Sequence, residues 1–361
     1  LKAAYQSYLG ATEKAPQASA LPDPKLSYGY FINSVETRVG PQEHKIGVSQ
    51  SFPWFGTLSL KEDFAKAEAK AEFNRFQTLK NKLVFDVTKA YVELAYINST
   101  TQITKDTIEL VQSWENVLQE RFRTSSGTHS DLIRVQVELG KLEDRLAELK
   151  DQKLPLYSNF NALLNQDDLI KVEVKKDFLK TASNTLVNIS IEDILAHNPE
   201  LQMIEAVIEA KKKGVRLAEK KFYPDFTLGV DYVVTGDRDV ADGGEDAVMS
   251  MVSINLPIFW DKNTAAVNEA KAKQKSFEEL KTSKEFSLKS QFSRASFELR
   301  DSKRKISLYK DTLIPKTQES VEASYTAYES GNAGFIDVID SEERLLEFQL
   351  TLKRAQANYI A

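Results

Sequence analysis

Asp337 and Asp340, in FIDVIDSEERLL, are the residues of this 361-residue chain whose types and spacing best suit chemistry. Three apart on a helix, two carboxylates share one face. Such a pair could serve as acid and base in hydrolysis, but no nucleophile, orienting base or phosphate-binding loop accompanies it. Near a helix start the same residues complement the helix dipole, which is a purely structural role. His44, His129 and His197 are scattered, and so are Met203, Met249 and Met251, so no metal-ligand spacing emerges. Met249 and Met251 read instead as side chains on the face of a strand. The chain has no Cys, which removes disulfides, thiolate metal sites and Cys nucleophiles. The expectation is a protein that is not an enzyme and carries no cofactor and no resident metal.

Composition narrows the class. The chain is 42% hydrophobic and 28% charged, with mean hydropathy −0.39, and it has no apolar run long enough for a membrane helix. Contact with a membrane would have to be made by β-strands. A net charge of −5 argues against a general nucleic-acid binder, which needs a clear Lys and Arg excess to neutralise phosphates.

The elements that must position any site come from an internal repeat at a shift of about 202 to 204 residues. ALPDPKLSYGY, with Pro22, Asp23, Leu26 and Tyr30, returns as FYPDFTLGVDY, with Pro224, Asp225, Leu228 and Tyr232. VSQSFPWFG returns as VSINLPIFW, and Ser126 and Gly127 return as Ser330 and Gly331. HNPELQMIEA before the second copy aligns only Leu201 with Leu1, so a leader is expected to precede residue 1. The division expected is a first repeat over 1–188 and a second over 189–361. The first holds strands near 25–34 and 44–53, helices near 57–125 and 130–157, and an equatorial segment near 158–188. The second holds a helix near 190–222, strands near 225–235 and 247–258, and helices near 261–329 and 334–361.

The periodicities support this order. Leu26, Tyr28, Tyr30 and Ile32 alternate with other residues, as do Leu228, Val230, Tyr232 and Val234. Strands of about ten residues with one apolar face have the length to cross a bilayer at a tilt. The helix signals that follow run for almost seventy residues, about 100 Å at the helical rise, and need partners along their length. Phe76, Leu79, Leu83, Val87, Ala90, Leu94 and Ile97 form a coiled-coil seam, and Leu132, Val135, Leu139, Leu142, Leu146 and Leu149 form another. Gly127 and Gly331 fall at the reversals, where a tight helix-to-helix turn favours positive φ. Pro315 is expected to break or kink the second long helix. Four membrane strands cannot close a barrel, and an open edge in hydrocarbon strands unpaired backbone groups, so several chains must share one. Trp54, Phe55, Phe259 and Trp260, just after Pro53 and Pro257, fit an aromatic girdle at the membrane interface.

In sum of these motifs (NPEL, YPDF, SFPWFG, LPIFW and SGNAGFIDVIDSEERLL) the whole chain resembles the TolC-like outer membrane efflux family, and VETRVGPQEHKIGVSQSFPWFGTL and SDLIRVQVELGKLEDRL resemble its heavy-metal branch, the CzcC and CusC type. The resemblance implies a mostly α protein with membrane β: a homotrimer with a twelve-stranded β-barrel in the outer membrane, continued by an α-helical barrel through the periplasm. It implies a passive conduit of an RND-type tripartite system, with a periplasmic adaptor and an inner-membrane pump as partners and heavy-metal cations as cargo. It also implies a gate at the periplasmic tip, with Asp337 and Asp340 as a carboxylate ring and Tyr328 helping to hold it shut. The family's basic partner two residues after the glycine is Ala333 here, and the Asp expected six after Gly127 is Ile133. Asp131 and Arg134 are expected to take over those latch contacts, with Gly127 and Gly331 at the adaptor-docking turns. Two other readings stay open: the same fold exporting drugs or proteins, and a soluble coiled-coil scaffold.

Overall fold

The computed structural model describes residues 1–166, 172–175, 177–182 and 189–361. Its elements in chain order are α1 (Lys2–Thr12), α2 (Lys14–Ser19), β1 (Lys25–Thr37), β2 (Gly40–Phe52), α3 (Thr57–Arg123), α4 (His129–Leu164), α5 (Phe178–Ala182), α6 (Ile191–His197), α7 (Pro199–Lys220), β3 (Phe226–Thr235), β4 (Ala247–Ile254), α8 (Trp260–Leu308), a π-helical turn (Tyr309–Leu313), α9 (Ile314–Glu329) and α10 (Phe335–Ile360). Two compact units are present, residues 1–79 with 192–287 and residues 80–191 with 288–361, so each takes a part of both repeats. No helix among the described residues is long and apolar enough to cross a membrane.

The first unit holds one antiparallel sheet of order β1-β2-β3-β4, which leaves β1 and β4 as open edges. The first hairpin is longer than its sequence suggests. β1 and β2 run on to Thr37 and from Gly40, joined only by Arg38 and Val39, and the register shifts between Tyr30 and Val35. That irregularity moves the alternation out of phase, which hides the strand ends from a period-two reading. Gly40 is obligatory, because φ is +142° and a Cβ there would meet the Gly236 carbonyl oxygen at 1.9 Å. β4 stops at Ile254, short of the expected 258, where the Asn255 side chain accepts a hydrogen bond from the Asp225 backbone and Pro257 can give no ladder donor.

The helices of this unit bury alanines beside larger aliphatic residues such as Leu201, Ile204 and Ile208 of α7. Ala65, Ala69 and Ala71 of α3 and Ala206, Ala210 and Ala218 of α7 are buried. Asn198 caps α7 by accepting from the Glu200 and Leu201 amides at 2.9 and 3.1 Å, and Pro199 fills the first turn, where no donor is needed. In the first copy the matching stretch forms α1 and α2, elements the periodicity did not announce. They are two helices because Pro16 cannot donate to the Thr12 carbonyl and crowds it.

The second unit is built on a core of Ile108, Val111, Trp114 and Leu118 from α3, Val135, Leu139 and Leu142 from α4, and Phe335, Val338, Ile339, Leu346 and Leu350 from α10, with Tyr328 of α9. Neither proline ends its helix. Pro155 lies inside α4, which continues to Leu164 rather than stopping near 157, because Leu156, Phe160 and Leu163 keep the apolar stripe against Ala90 and Leu94. That burial outweighs one lost backbone hydrogen bond of about 1 kcal/mol. Pro315 sits in the first turn of α9, directly after the π-helical turn, which takes up the missing donor without ending the helical run. Of the expected equatorial segment, Phe178–Ala182 forms α5 and Leu179 is buried beside Val92 and Ala357; residues 167–171, 176 and 183–188 lie outside the described residues.

Candidate functional site at the helical tip

Two reversals, α3 to α4 and α9 to α10, form the tip of the second unit. Both end the preceding helix in the same way. The Ser126 amide donates to the Arg121 carbonyl at 2.9 Å and the Ser125 amide to the Phe122 carbonyl at 3.1 Å; Asn332 and Gly331 repeat this on Ala327 and Tyr328 at 2.9 and 3.0 Å. These are paired six-to-one and five-to-two closures with a left-handed residue after the helix. That residue is Gly331 (φ +77°) in the second copy but Ser125 (φ 60°) in the first. The structural equivalent of Gly331 is therefore Ser125, not Gly127, and the turns correspond at a shift of 206 rather than 204 residues. Gly127 serves a different need: a Cβ there would lie 3.0 Å from Arg121 Cβ and 3.3 Å from its backbone.

The corrected register changes the reading of the acids. Asp131 and Asp337 now occupy equivalent first-turn positions, and Arg134 stands where the second copy has Asp340. Asp131 closes a cap: its amide donates to Thr128 Oγ1 at 3.1 Å, and that hydroxyl donates to Asp131 Oδ2 at 2.7 Å. Asp337 and Asp340 are exposed, and no side chain engages either among the described residues. Arg134 is exposed as well. Within one chain, then, the tip presents two uncompensated carboxylates on one helix face.

Tyr328 does not project from the tip. It is 8% exposed, packed edge-on against Phe335 at 5.1 Å, with the Arg121 guanidinium 4.9 Å from its ring centre. Trp114 stacks on Tyr325 at 6.2 Å and meets Phe335 edge-on at 5.8 Å. Any effect of Tyr328 on a gate must pass through the packing of the two helix pairs. Arg121 and Trp114 escaped sequence reasoning; their partners lie more than 200 residues away in chain order.

Behind the tip lies a charged seam that sequence reasoning also missed. Lys141 Nζ donates to Glu138 Oε2 at 3.0 Å and to Glu343 Oε1 at 2.9 Å, tying α4 to α10. Burial pushes the Glu138 carboxyl up, hydrogen bonds from Glu138 and Lys141 hold Glu343 down, and both glutamates hold Lys141 above its usual range. These residues line a groove of about 450 Å³ with Tyr96, Arg145 and Arg354. Arg354 pairs with both oxygens of Glu93 at 2.8 and 3.0 Å and lies 3.6 Å over the Tyr96 ring. Nearby, Glu342 is buried with Oε2 unbonded, and burial alone raises its carboxyl to about 7. Its surroundings hold Asp106, Glu322 and Lys353 on one side and Glu138 and Glu343 on the other.

The remaining expected residues lie in the first unit. Trp54 is packed, stacked on Tyr223 at 5.1 Å and Phe226 at 5.7 Å. Phe55, Phe259 and Trp260 are 77%, 71% and 68% exposed. The histidines stay apart: His44 bonds the Tyr28 hydroxyl, His197 the Asp193 carbonyl, and His129 touches Phe122. No metal-ligating cluster occurs among the described residues.

Comparison with known proteins adds the following. Residues 190–361 match the family described as outer membrane efflux protein. Toxin and drug export protein A of Aggregatibacter actinomycetemcomitans is 21% identical over 178 residues, covering 49% of this chain and 38% of that protein, so this chain matches well under half the length of that relative. Among solved structures, the outer membrane protein VceC of Vibrio cholerae superposes with TM-score 0.81 at 17% identity over 99% of this chain and 89% of that one. CusC, whose structures concern transmembrane channel formation, gives TM-score 0.81 at 17% identity over 99% and 86%.

Proposed function

We propose that this chain, which belongs through residues 190–361 to the outer membrane efflux protein family and has the TolC-like fold over nearly its full length, is the subunit of a passive export channel, not an enzyme. Three copies assemble side by side, pairing β4 of one with β1 of the next into a twelve-stranded barrel in the outer membrane. The long helices form the periplasmic conduit, a periplasmic adaptor docks at the tip turns that contain Gly127, Gly331, Asp131 and Arg134, and an inner-membrane RND pump drives the cargo. The observation that carries this reading is the sheet: two open edges, with one face lined by Leu26, Tyr28, Ile46, Val48, Leu228, Val230, Val248 and Val252, all exposed. Such a sheet closes only with copies of itself and tolerates its apolar face only in lipid. Phe55, Phe259 and Trp260 form the interfacial girdle, with Trp54 anchoring it from within.

Heavy-metal cations are the cargo we favour, on the sequence likeness to the metal branch; the fold, shared equally with VceC and CusC, does not choose among cargoes. Asp337 and Asp340 supply the cation preference: three chains bring six carboxylates to one aperture. The relative named for toxin and drug export supports the competing cargo. Single-channel recording in planar bilayers tests the reading. Wild type should give cation-selective pores whose selectivity weakens in Asp337→Ala/Asp340→Ala; pores indifferent to the double variant would remove the tip site, and a folded sample that neither inserts nor gives pores would restore the soluble scaffold.

A further inference from the structure

The strand-built part of the first unit carries one ion pair that neither the tip nor the apolar face explains. Register places Gly47 opposite Ser27 on β1 and opposite Asp231 on β3, and Asp231 opposite Met249 on β4. These residues therefore share the sheet face opposite Val48 and Val230. Lys45, two residues from Gly47, lies on the same face, and its Nζ meets Asp231 Oδ2 at 2.6 Å. The Asp231 side chain is only 7% exposed and that of Lys45 is 38% exposed. Gly47 makes the arrangement possible: a Cβ there would fall 2.1 Å from Asp231 Oδ1, so the carboxylate lies flat over the sheet where any side chain would displace it. From the level of this pair toward Phe52, the other residues of the face on β2, β3 and β4 are uncharged, Ser49, Ser51, Thr227, Val233 and Met251 among them; Lys25 begins β1 on the same face, and Glu43 lies at the register shift before Lys45.

A nearly buried carboxylate on a wall of small, hydroxyl and apolar side chains is costly to maintain unless its partner is kept. If this face lines water while the other lines lipid, each subunit contributes one self-cancelling pair to the wall. We propose that Lys45 and Asp231 are specificity-determining residues of the strand-built conduit, paired so that this stretch of wall is neutral toward passing ions. The proposal rests on the channel reading above. Loss of either member would convert the wall into a ring of like charges, and rings of that kind select ions by sign.

The test is the reversal potential in a KCl gradient, with Asp337→Ala/Asp340→Ala as the parent so that the tip ring does not mask the wall. K45Q should raise the cation-to-anion permeability ratio by about threefold and D231N should lower it by about as much, as one unbalanced charge per subunit biases a wet pore. The combined K45Q/D231N should return to the parent value, and K45R should never leave it. If the parent conducts and both single variants keep its ratio, the proposal is overturned while the channel stands. If neither the parent nor wild type conducts, the channel reading fails and takes the proposal with it; if only the parent is silent, the same variants are read in wild type. Should K45Q not assemble, D231N leaves no unpaired buried carboxylate and decides alone: an unchanged ratio overturns the proposal.

Discussion

At the scale of single residues, the most consequential side chain outside the tip is Glu342. It is 6% exposed, its Oε2 has no partner, and burial lifts its carboxyl to about 7. A carboxyl whose folded value is raised binds its proton more tightly in the folded state. The folded state is therefore favoured most at pH below an ordinary glutamate value and loses that advantage as pH rises toward about 7. Glu342→Gln keeps the shape and removes the ionisation. It should raise stability above pH 7 by about 2 kcal/mol and flatten the acid side of the profile. Thermal unfolding followed across pH 5 to 8 measures this; parallel profiles for the two proteins would exclude Glu342 as the cause. Glu342 was invisible in the sequence because SEERLL reads as an ordinary charged helix surface. Only the approach of α3 shows that one of those two glutamates faces inward. For Asp337 and Asp340, by contrast, spacing from Gly331 already placed both near the start of a helix, where exposed acids need no tertiary partner.

At the scale of elements, the two tip turns show where sequence reading succeeds and where it slips. Paired strands, long helices and glycine-marked reversals were all legible, because periodicity and turn chemistry are local properties. The pairing of Gly127 with Gly331 was not, because a glycine can be required for two different reasons. Gly331 answers to backbone conformation and Gly127 to lack of space beside Arg121. The prolines divide in a similar way: Pro315 is marked by a π-helical turn directly before it, whereas Pro155 is carried inside α4 by the packing of the residues around it. It also leads to opposite substitutions. Ser125 bears a left-handed φ of 60° that glycine adopts without penalty, so Ser125→Gly should stabilise by about 0.5 to 1 kcal/mol. Gly331→Ala should destabilise by about 1 kcal/mol, despite open space around it, through φ alone. Denaturant unfolding of both variants checks the pair, and equal signs would show that the two turns are not built alike.

At the scale of the whole molecule, the decisive fact is that one sheet has two faces of different chemistry and two edges without partners. A soluble scaffold and a membrane channel make opposite demands on those faces. In water, a charge placed among Leu228, Val230 and Tyr232 would improve solubility. In a bilayer, an arginine at that depth costs about 2 to 4 kcal/mol, falling toward the interfaces. A charge on the other face would enter water in either case. Val230 and Ser49 make a suitable pair, since Val230 is exposed on the apolar face while Ser49, opposite Gly229, is on the polar one. Val230→Arg should therefore reduce the yield of folded, membrane-inserted oligomer at least severalfold, whereas Ser49→Arg should insert normally and alter only conductance. Because assembly multiplies a per-subunit penalty by the number of copies, even a modest cost at Val230 becomes a large deficit of closed barrels. Membrane fractionation with heat-resistant oligomer bands on gels reads both variants in one experiment. If Val230→Arg accumulates as soluble, folded protein as readily as Ser49→Arg, the apolar face does not meet lipid, and the edges of the sheet must be satisfied by some means other than a shared barrel.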